Sequence, residues 1–262
     1  MHIVALAQVC GDPDVEVTKL AAVLGLSPYD VRLHMSRVLP KIVHRSESAQ
    51  DAMAVLAALR ELGHGAVACD AAEAVPTSQM VRMHRFKFDD QGIWAHDEDC
   101  AYLAWDEIFA IVQATSRADL QRTTVEQERV MSARGYTVTV KREATTTEQL
   151  VEPVLYLFPR DSSTPWCLAE NSAQYLALGT SMKQTRRGNF LETLALLRRK
   201  AIRAVFDDRF AHAPMPQIKT LQVRGVGEPH LDGTQPREAE LTLHLLALWL
   251  HRSTSGPYRD AG

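Results

Sequence analysis

A chain of 262 residues can build one large hydrophobic core or two smaller ones. With 46% hydrophobic and 23% charged residues it has the make-up of a folding chain, which excludes a disordered solvating tail. A formal net charge of −3 gives no broad basic surface for phosphate neutralisation, so no nucleic-acid partner is expected.

In chain order, His2 to Val9 reads as a first strand closed by the turn Gly11-Asp12-Pro13. The start, MHIVALAQVC, lacks the basic segment and the length of a secretory signal, so a cytoplasmic location is expected. Asp14 is expected to cap a helix from Val15, with Val17, Leu20, Ala21 and Leu24 at helical spacing and Gly25 as its stop. Ser27-Pro28 restarts a helix carrying Val31, Met35 and Val38, and Leu39-Pro40 ends it. Lys41 to His44 is a short extended run. Ser48 caps a third helix bearing Met53, Leu56, Ala57 and Leu59, and Gly63 closes it. Gly65 to Cys69 returns as a strand. The expected order is β-α-α-β-α-β, an α+β unit over residues 1–75.

Pro76 marks a boundary, and residues 80–210 read as a second domain. Val81 to Phe88, Ile93 to His96, Tyr102 to Trp105 and Phe109 to Val112 are short runs separated by acidic turns, which predicts an antiparallel meander. Residues 117–135 are polar and charged, and are expected to form a loop or short helix. Further strands are expected at Tyr136 to Val140, Val154 to Phe158, Pro165 to Cys167 and Tyr175 to Leu178, with Thr145-Thr146-Thr147 as a polar bridge. A long helix is expected from Asn189, burying Phe190, Leu194, Leu197, Ile202 and Phe206. Residues 211–238 read as a linker or irregular loop. Residues 239–252 read as an apolar helix too short to cross a bilayer, so no transmembrane segment is expected. Its stripe Leu241, Leu245, Leu248 and Trp249 is broadened by Leu243, Leu246 and Leu250. Such a helix is either buried in its own chain or docked on a second copy, giving a homodimer.

The stretch LGLSPYDVRLHMSRVLPKIVHRSESAQDAMAVLAALRELGHGAVAC, residues 24–69, resembles the carboxy-terminal domain of ribosomal protein L7/L12. The matching positions are Gly25-Leu26, the helix from Pro28, Pro40 with Ile42-Val43, Ser46 to Ser48, and Leu62-Gly63 before Val67. The resemblance implies a small L7/L12-like α/β sandwich with an adaptor-like use. The family's docking helix is lysine-rich. Here Tyr29, Asp30, Arg32 and His34 stand in its place, so a partner other than a translation factor is implied. Residues 80–210 are similar to a bacterial pleckstrin-homology-like (PH-like) β-barrel domain, on the strand order, on Trp105-Asp106-Glu107-Ile108 and on the helix from Asn189. That resemblance implies an antiparallel barrel with a capping helix that binds proteins or lipids.

The chemistry-bearing residues do not converge on a familiar motif. There is no HExxH, GxSxG or glycine-rich phosphate loop, and Gly11 and Gly225-Val226-Gly227 match neither glycine fingerprint. His96-Asp97-Glu98-Asp99-Cys100 holds the densest set of metal-ligand types, but its position in a turn reads as solvated acid, and no metal site or cofactor is expected. The four cysteines, Cys10, Cys69, Cys100 and Cys167, fit free thiols in a reducing compartment. Cys167, with Glu170, Asn171 and a downstream His212, is the one set that admits a cysteine hydrolase. Lys183, Arg186, Arg187, Arg199 and Arg203 form a candidate surface for an acidic partner or anionic headgroups. The resulting expectation is a non-enzymatic adaptor or scaffold that holds a protein partner or itself. Its candidate partner-binding residues are Tyr29, Asp30, Arg32, His34, Leu245 and Trp249. A cysteine hydrolase on Cys167 and a peripheral anionic-lipid binder are the alternatives.

Overall fold

The computed structural model describes residues 1–35, 38–96, 100–131, 137–161, 164–212 and 238–254. The strands are β1 (His2–Gln8), β2 (Lys41–Ser46), β3 (Gly65–Asp70), β4 (Val81–Arg82), β5 (Phe86–Phe88), β6 (Gly92–Ala95), β7 (Ala101–Ala104), β8 (Ile108–Met131), β9 (Thr137–Pro159), β10 (Trp166–Ala169) and β11 (Val205–Asp208). The helices are α1 (Pro13–Leu24), α2 (Pro28–Met35), α3 (Ala49–Glu61), α4 (Arg186–Lys200), α5 (Arg209–His212) and α6 (Glu238–Thr254). The fold is mixed α+β.

The first unit has the order β-α-α-β-α-β. Its caps are local chemistry. Asp12, rather than Asp14, caps α1, accepting a hydrogen bond from the Asp14 N–H, and Pro13 fills the first turn, where no donor is needed. Gly25 ends that helix in the left-handed region at φ 64°. Ser48 caps α3 by accepting from the Asp51 N–H. The three strands pair antiparallel in the order β2-β1-β3. Strand alternation divides β1 between two cores. Val4 and Leu6 face Val17, Leu20, Leu56 and Leu59 of the helices. Ile3 and Ala5 face the other way, with Val67 and Cys69.

The second unit departs from the expected barrel. Its main sheet has the order β11-β8-β9-β10-β4, with parallel pairs at both ends: β11 on β8 and β4 on β10. The meander β5-β6-β7 is a separate three-stranded sheet. None of the sheets closes into a barrel among the described residues. Alternation again gives the main sheet two faces. Ile111, Leu155, Leu157, Trp166 and Leu168 pack on the meander and on Phe190, Leu194 and Leu197 of α4. Ala110, Val112, Tyr156, Phe158 and Cys167 pack on the opposite side.

Other expectations are corrected. Residues 117–131 are neither loop nor helix: they continue β8, which is 24 residues long and pairs along its length with the 23-residue β9. Thr145-Thr146-Thr147 lies within β9 rather than bridging two strands. Tyr175 to Ser181 is 3₁₀-helical, bent at Gly179 (φ 52°), instead of a strand. Helix α4 starts three residues before Asn189, because the Thr185 hydroxyl caps it by accepting from the Gly188 N–H. It ends at Lys200, so Phe206 belongs to β11 and Ile202 is 80% exposed rather than buried. The expected linker lies, for residues 213–237, outside the described residues.

Helix α6 joins the two units. Leu241 and Leu245 meet the free face of the first sheet beside Ile3, Val67 and Cys69. Leu243, Leu246, Ala247 and Leu250 meet the main sheet beside Val112, Tyr156 and Phe158. The helix is therefore a middle layer between two sheets, which is why its sequence is apolar on most sides. Polar contacts fix its start: the Thr77 N–H donates to Glu240 Oε1 at 2.8 Å, and Lys41 lies 3.9 Å from Glu238. Gly65 makes room for Trp249, since a Cβ there would stand 2.5 Å from the indole and 2.8 Å from Gln8 Cβ. Gly65→Ala is expected to destabilise the protein by about 1–3 kcal/mol through overpacking. Chemical denaturation of the variant measures this, and an unchanged midpoint would show that Trp249 can retreat.

Candidate functional site

The expected site residues fall into three places. On α2, Tyr29 is 73% exposed and Leu33 48% exposed, one helical turn apart. Asp30 closes the helix start: its carboxylate accepts from the Ser27 hydroxyl at 2.7 Å, and its N–H donates back to that oxygen at 3.1 Å. Arg32 stands 3.5 Å from Asp14 of α1. The side chain of His34 lies outside the described residues. Arg32 and Asp14 also edge an open cleft of about 780 Å³ whose apolar lining includes Ala7, Val17 and Met35. Arg209 also lines it. It holds Asp207 through Nε and Nη2 at 2.8–3.0 Å and donates from Nη1 to the Leu39 carbonyl at 3.0 Å. This guanidinium ties α5 to the first unit.

The second place is α6, where a partner surface was expected at Leu245 and Trp249. Leu245 is fully buried against the first sheet, and Trp249 is half-buried over Gly65. Their apolar surface is covered within the chain, so this stripe is not an outward docking face.

The third place is α4. It buries Phe190, Leu194 and Leu197 and turns Arg187, Leu191, Ala195, Arg198 and Arg199 outward. The cations differ in what they hold. Lys183 pairs with Glu192 at 3.4 Å, and Arg187 with Glu170 at 3.1 Å. Arg186 donates to the Asn171 carbonyl. Arg198 stacks over the Phe206 ring, 4.3 Å from its centroid. Arg199 and Arg203 make no ion pair or hydrogen bond among the described residues. Exposed apolar side chains flank the helix: Met182 (51%) before it, Leu191 (45%) on it and Ile202 (80%) after it. The expected basic surface therefore narrows to Arg199 and Arg203 with Ile202 between them.

The hydrolase constellation is not assembled. Cys167 is buried in an apolar layer with Tyr156, Phe210 and Leu246. Burial pushes its thiol up to about 11, the reverse of an activated nucleophile. Glu170 is held by Arg187, and the Asn171 N–H donates to Glu152. The His212 side chain is 83% exposed and faces Asp208 at 4.0 Å. Of the acidic turn expected to be solvated, residues 97–99 lie outside the described residues, and His96 Nδ1 lies 3.8 Å from Cys100 Sγ.

Two buried polar arrangements carry no signal in the sequence. His64 and Glu16 are 3% and 6% exposed. The Cys10 N–H donates to His64 Nδ1 at 3.2 Å, which leaves the ring proton on Nε2, 3.2 Å from Glu16 Oε2. Despite this approach, neither atom has a hydrogen-bond partner among the described residues. Lys19 holds the other Glu16 oxygen at 2.7 Å. The set pins the turn after β1 to the turn before β3. Glu16 and His64 are isolated single residues 48 positions apart, and only the fold brings them together.

His244 on α6 also lacks a hydrogen bond at Nε2. Burial holds its pKa below the ordinary 6.5, while nearby Glu73 opposes the shift. The unfolded state then binds the proton more readily, so stability is complete above about pH 6.5 and falls as the pH drops below it. The slope cannot exceed about 1.4 kcal/mol per pH unit for one group. His244→Leu is expected to flatten the decline in urea midpoint between pH 7 and pH 5.5, and an unaltered slope would assign it to other groups.

No family model, curated protein or solved structure matches this chain. Among the described residues no group of three or more metal-ligand side chains converges, and no helix is long and apolar enough to cross a membrane.

Proposed function

We propose that this protein is a non-enzymatic adaptor that docks an acidic protein surface at the carboxyl end of α4, over Arg199, Ile202 and Arg203. The observation that carries the reading is Ile202, 80% exposed between Arg199 and Arg203, two cations with no internal counter-charge among the described residues. An exposed apolar side chain flanked in sequence by two unpaired arginines suits a partner with an apolar anchor and a carboxylate rim. The first unit is proposed as an L7/L12-like head. Its β-α-α-β-α-β order and its stop at Gly25 support that reading, and Tyr29 and Leu33 give it a smaller exposed patch of its own.

The test compares the native chain with an Arg199→Glu, Ile202→Asp, Arg203→Glu variant in crosslinked affinity isolation from native lysate. A partner held by the first and lost by the second supports the reading. Equal capture by both would overturn it.

One observation favours a second reading, peripheral binding to an anionic membrane: Met182, Leu191 and Ile202 are exposed among the same cations. Flotation with phosphatidylserine vesicles separates the two. Salt-sensitive flotation lost in the same variant would move the assignment from protein to lipid.

A further inference from the structure

The β8–β9 pair runs well past the sheet that anchors it. Strand β11 pairs with β8 only at Ala110 to Val112, and an isolated bridge joins Ala114 to Phe210. Strand β10 pairs with β9 only from Val154 to Leu157. From Ser116↔Glu152 to Met131↔Thr137 the two strands pair with each other and with nothing else among the described residues. At roughly 3.3 Å per residue this ribbon projects about 50 Å. A two-stranded ribbon has two open edges and is marginal in water when alone. Natural edges are blunted by proline, by bulges and by charged side chains, lysine above all. Residues 116–131, SRADLQRTTVEQERVM, contain no proline, glycine or lysine, and their charges are of both signs, three arginines and three acidic residues.

The charge order along β8 is nearly palindromic about Thr124. In an antiparallel pairing of this edge with the same edge of a second copy, centred on Thr124, Arg122 stands opposite Glu126 and Asp119 opposite Arg129. Symmetry makes each pairing occur twice. Gln121 meets Gln127, Thr123 meets Val125 and Ala118 meets Val130. No like charges meet. No other antiparallel self-register of residues 116–131 brings together more than one kind of opposite-charge pair, and no self-register of β9 over residues 137–153 does so. Opposite charges directly across a ladder stabilise it, and like charges oppose it.

The geometry points to a homodimer formed by the β8 edges, a continuous four-stranded antiparallel sheet in the order β9-β8-β8-β9. The contact is isologous, so it closes on two copies and does not propagate. Arg117 of each copy lies opposite Met131 of the other. The intermolecular ladder therefore runs from Arg117 to Met131 of each copy, clear of the stretch of β8 that β11 and Phe210 occupy. This dimer uses no part of α4 or α6, so it stands or falls separately from the docking reading.

Light scattering on the full chain is expected to give twice the 29.2 kDa monomer mass. Asp119→Arg alone sets arginines against Arg129 at both symmetric sites and is expected to weaken the dimer about tenfold or more. Adding Arg129→Asp restores it. Within the ribbon these two positions face the neutral Gln149 and Thr139, so the exchange leaves the hairpin's own pairs uncharged on one side. In a Cys10→Ser, Cys100→Ser background, Thr124→Cys is expected to form an intermolecular disulfide on mild oxidation. Its symmetry mate would lie about 5 Å away, within disulfide reach. Gln121→Cys, about 20 Å from its own mate in this register, is expected to form none. A single-chain mass at the highest soluble concentration overturns the proposal. So does crosslinking at Gln121→Cys equal to that at Thr124→Cys.

Discussion

Replacing Leu246 with alanine is expected to lower the unfolding free energy by about 2–5 kcal/mol, and Leu245→Ala by a similar amount. Both side chains are fully buried, yet they serve different sheets. Leu246 lies in the layer against Val112 and Tyr156, and Leu245 lies against Ile3 and Val67. Each truncation leaves a cavity with few ways to collapse, because rigid strands line it. A typical domain has a total stability of about 5–15 kcal/mol, so the double variant is expected to be largely unfolded. Urea denaturation followed by far-UV circular dichroism measures each step. A loss below about 1 kcal/mol for either single variant would show that α6 does not bridge the sheets.

A thiol reagent at neutral pH is expected to modify Cys10 and Cys100 at least about 100-fold faster than Cys69 and Cys167. The first two are exposed and the other two buried. Burial pushes the thiols of Cys69 and Cys167 up to about 12 and about 11, so their thiolate fractions at neutral pH are very small. Mass spectrometry of each cysteine peptide during a timed alkylation gives the four rates. Fast labelling of Cys167 in the native state would contradict its place in the apolar layer and would reopen nucleophilic chemistry at that position.

The parts of the fold that sequence reveals are those fixed by local chemistry. Gly25, Pro28, Ser48 and Gly63 lie at the ends of helices and mark them in the sequence, as they do in the structure. The two apolar stripes of α6 were equally visible. What they pack against was not, because a helix buried between two sheets and one docked on a partner carry the same pattern. The β8–β9 ribbon was hidden for a different reason. Beyond Ser116 no third strand pairs with it among the described residues, and an unanchored ribbon puts no demand for apolar alternation on its sequence. Threonine and valine favour a strand there, but arginine and glutamate at similar frequency mask the signal. The site residues divided in the same way. Tyr29 and Arg199 are exposed because they lie on the polar sides of α2 and α4, which the periodicity indicates. Pairing of Arg187 with Glu170, and of Lys200 with Asp90, joins separate segments and is a property of the tertiary fold.

The middle position of α6 also sets an order of events during synthesis. Every strand of both sheets precedes residue 209, while the layer that covers their inner faces begins at Glu238. At about 5–20 residues per second, the apolar faces of β1, β3, β8 and β9 wait for seconds before the helix that shields them has been made. Contacts between Ile3 and Leu241 or Leu245 span nearly the whole sequence, so they form late and slow the approach to the native state. A nascent chain halted before Glu238 would present two adhesive sheets at once. Such intermediates are natural clients for chaperones that shelter unfinished chains.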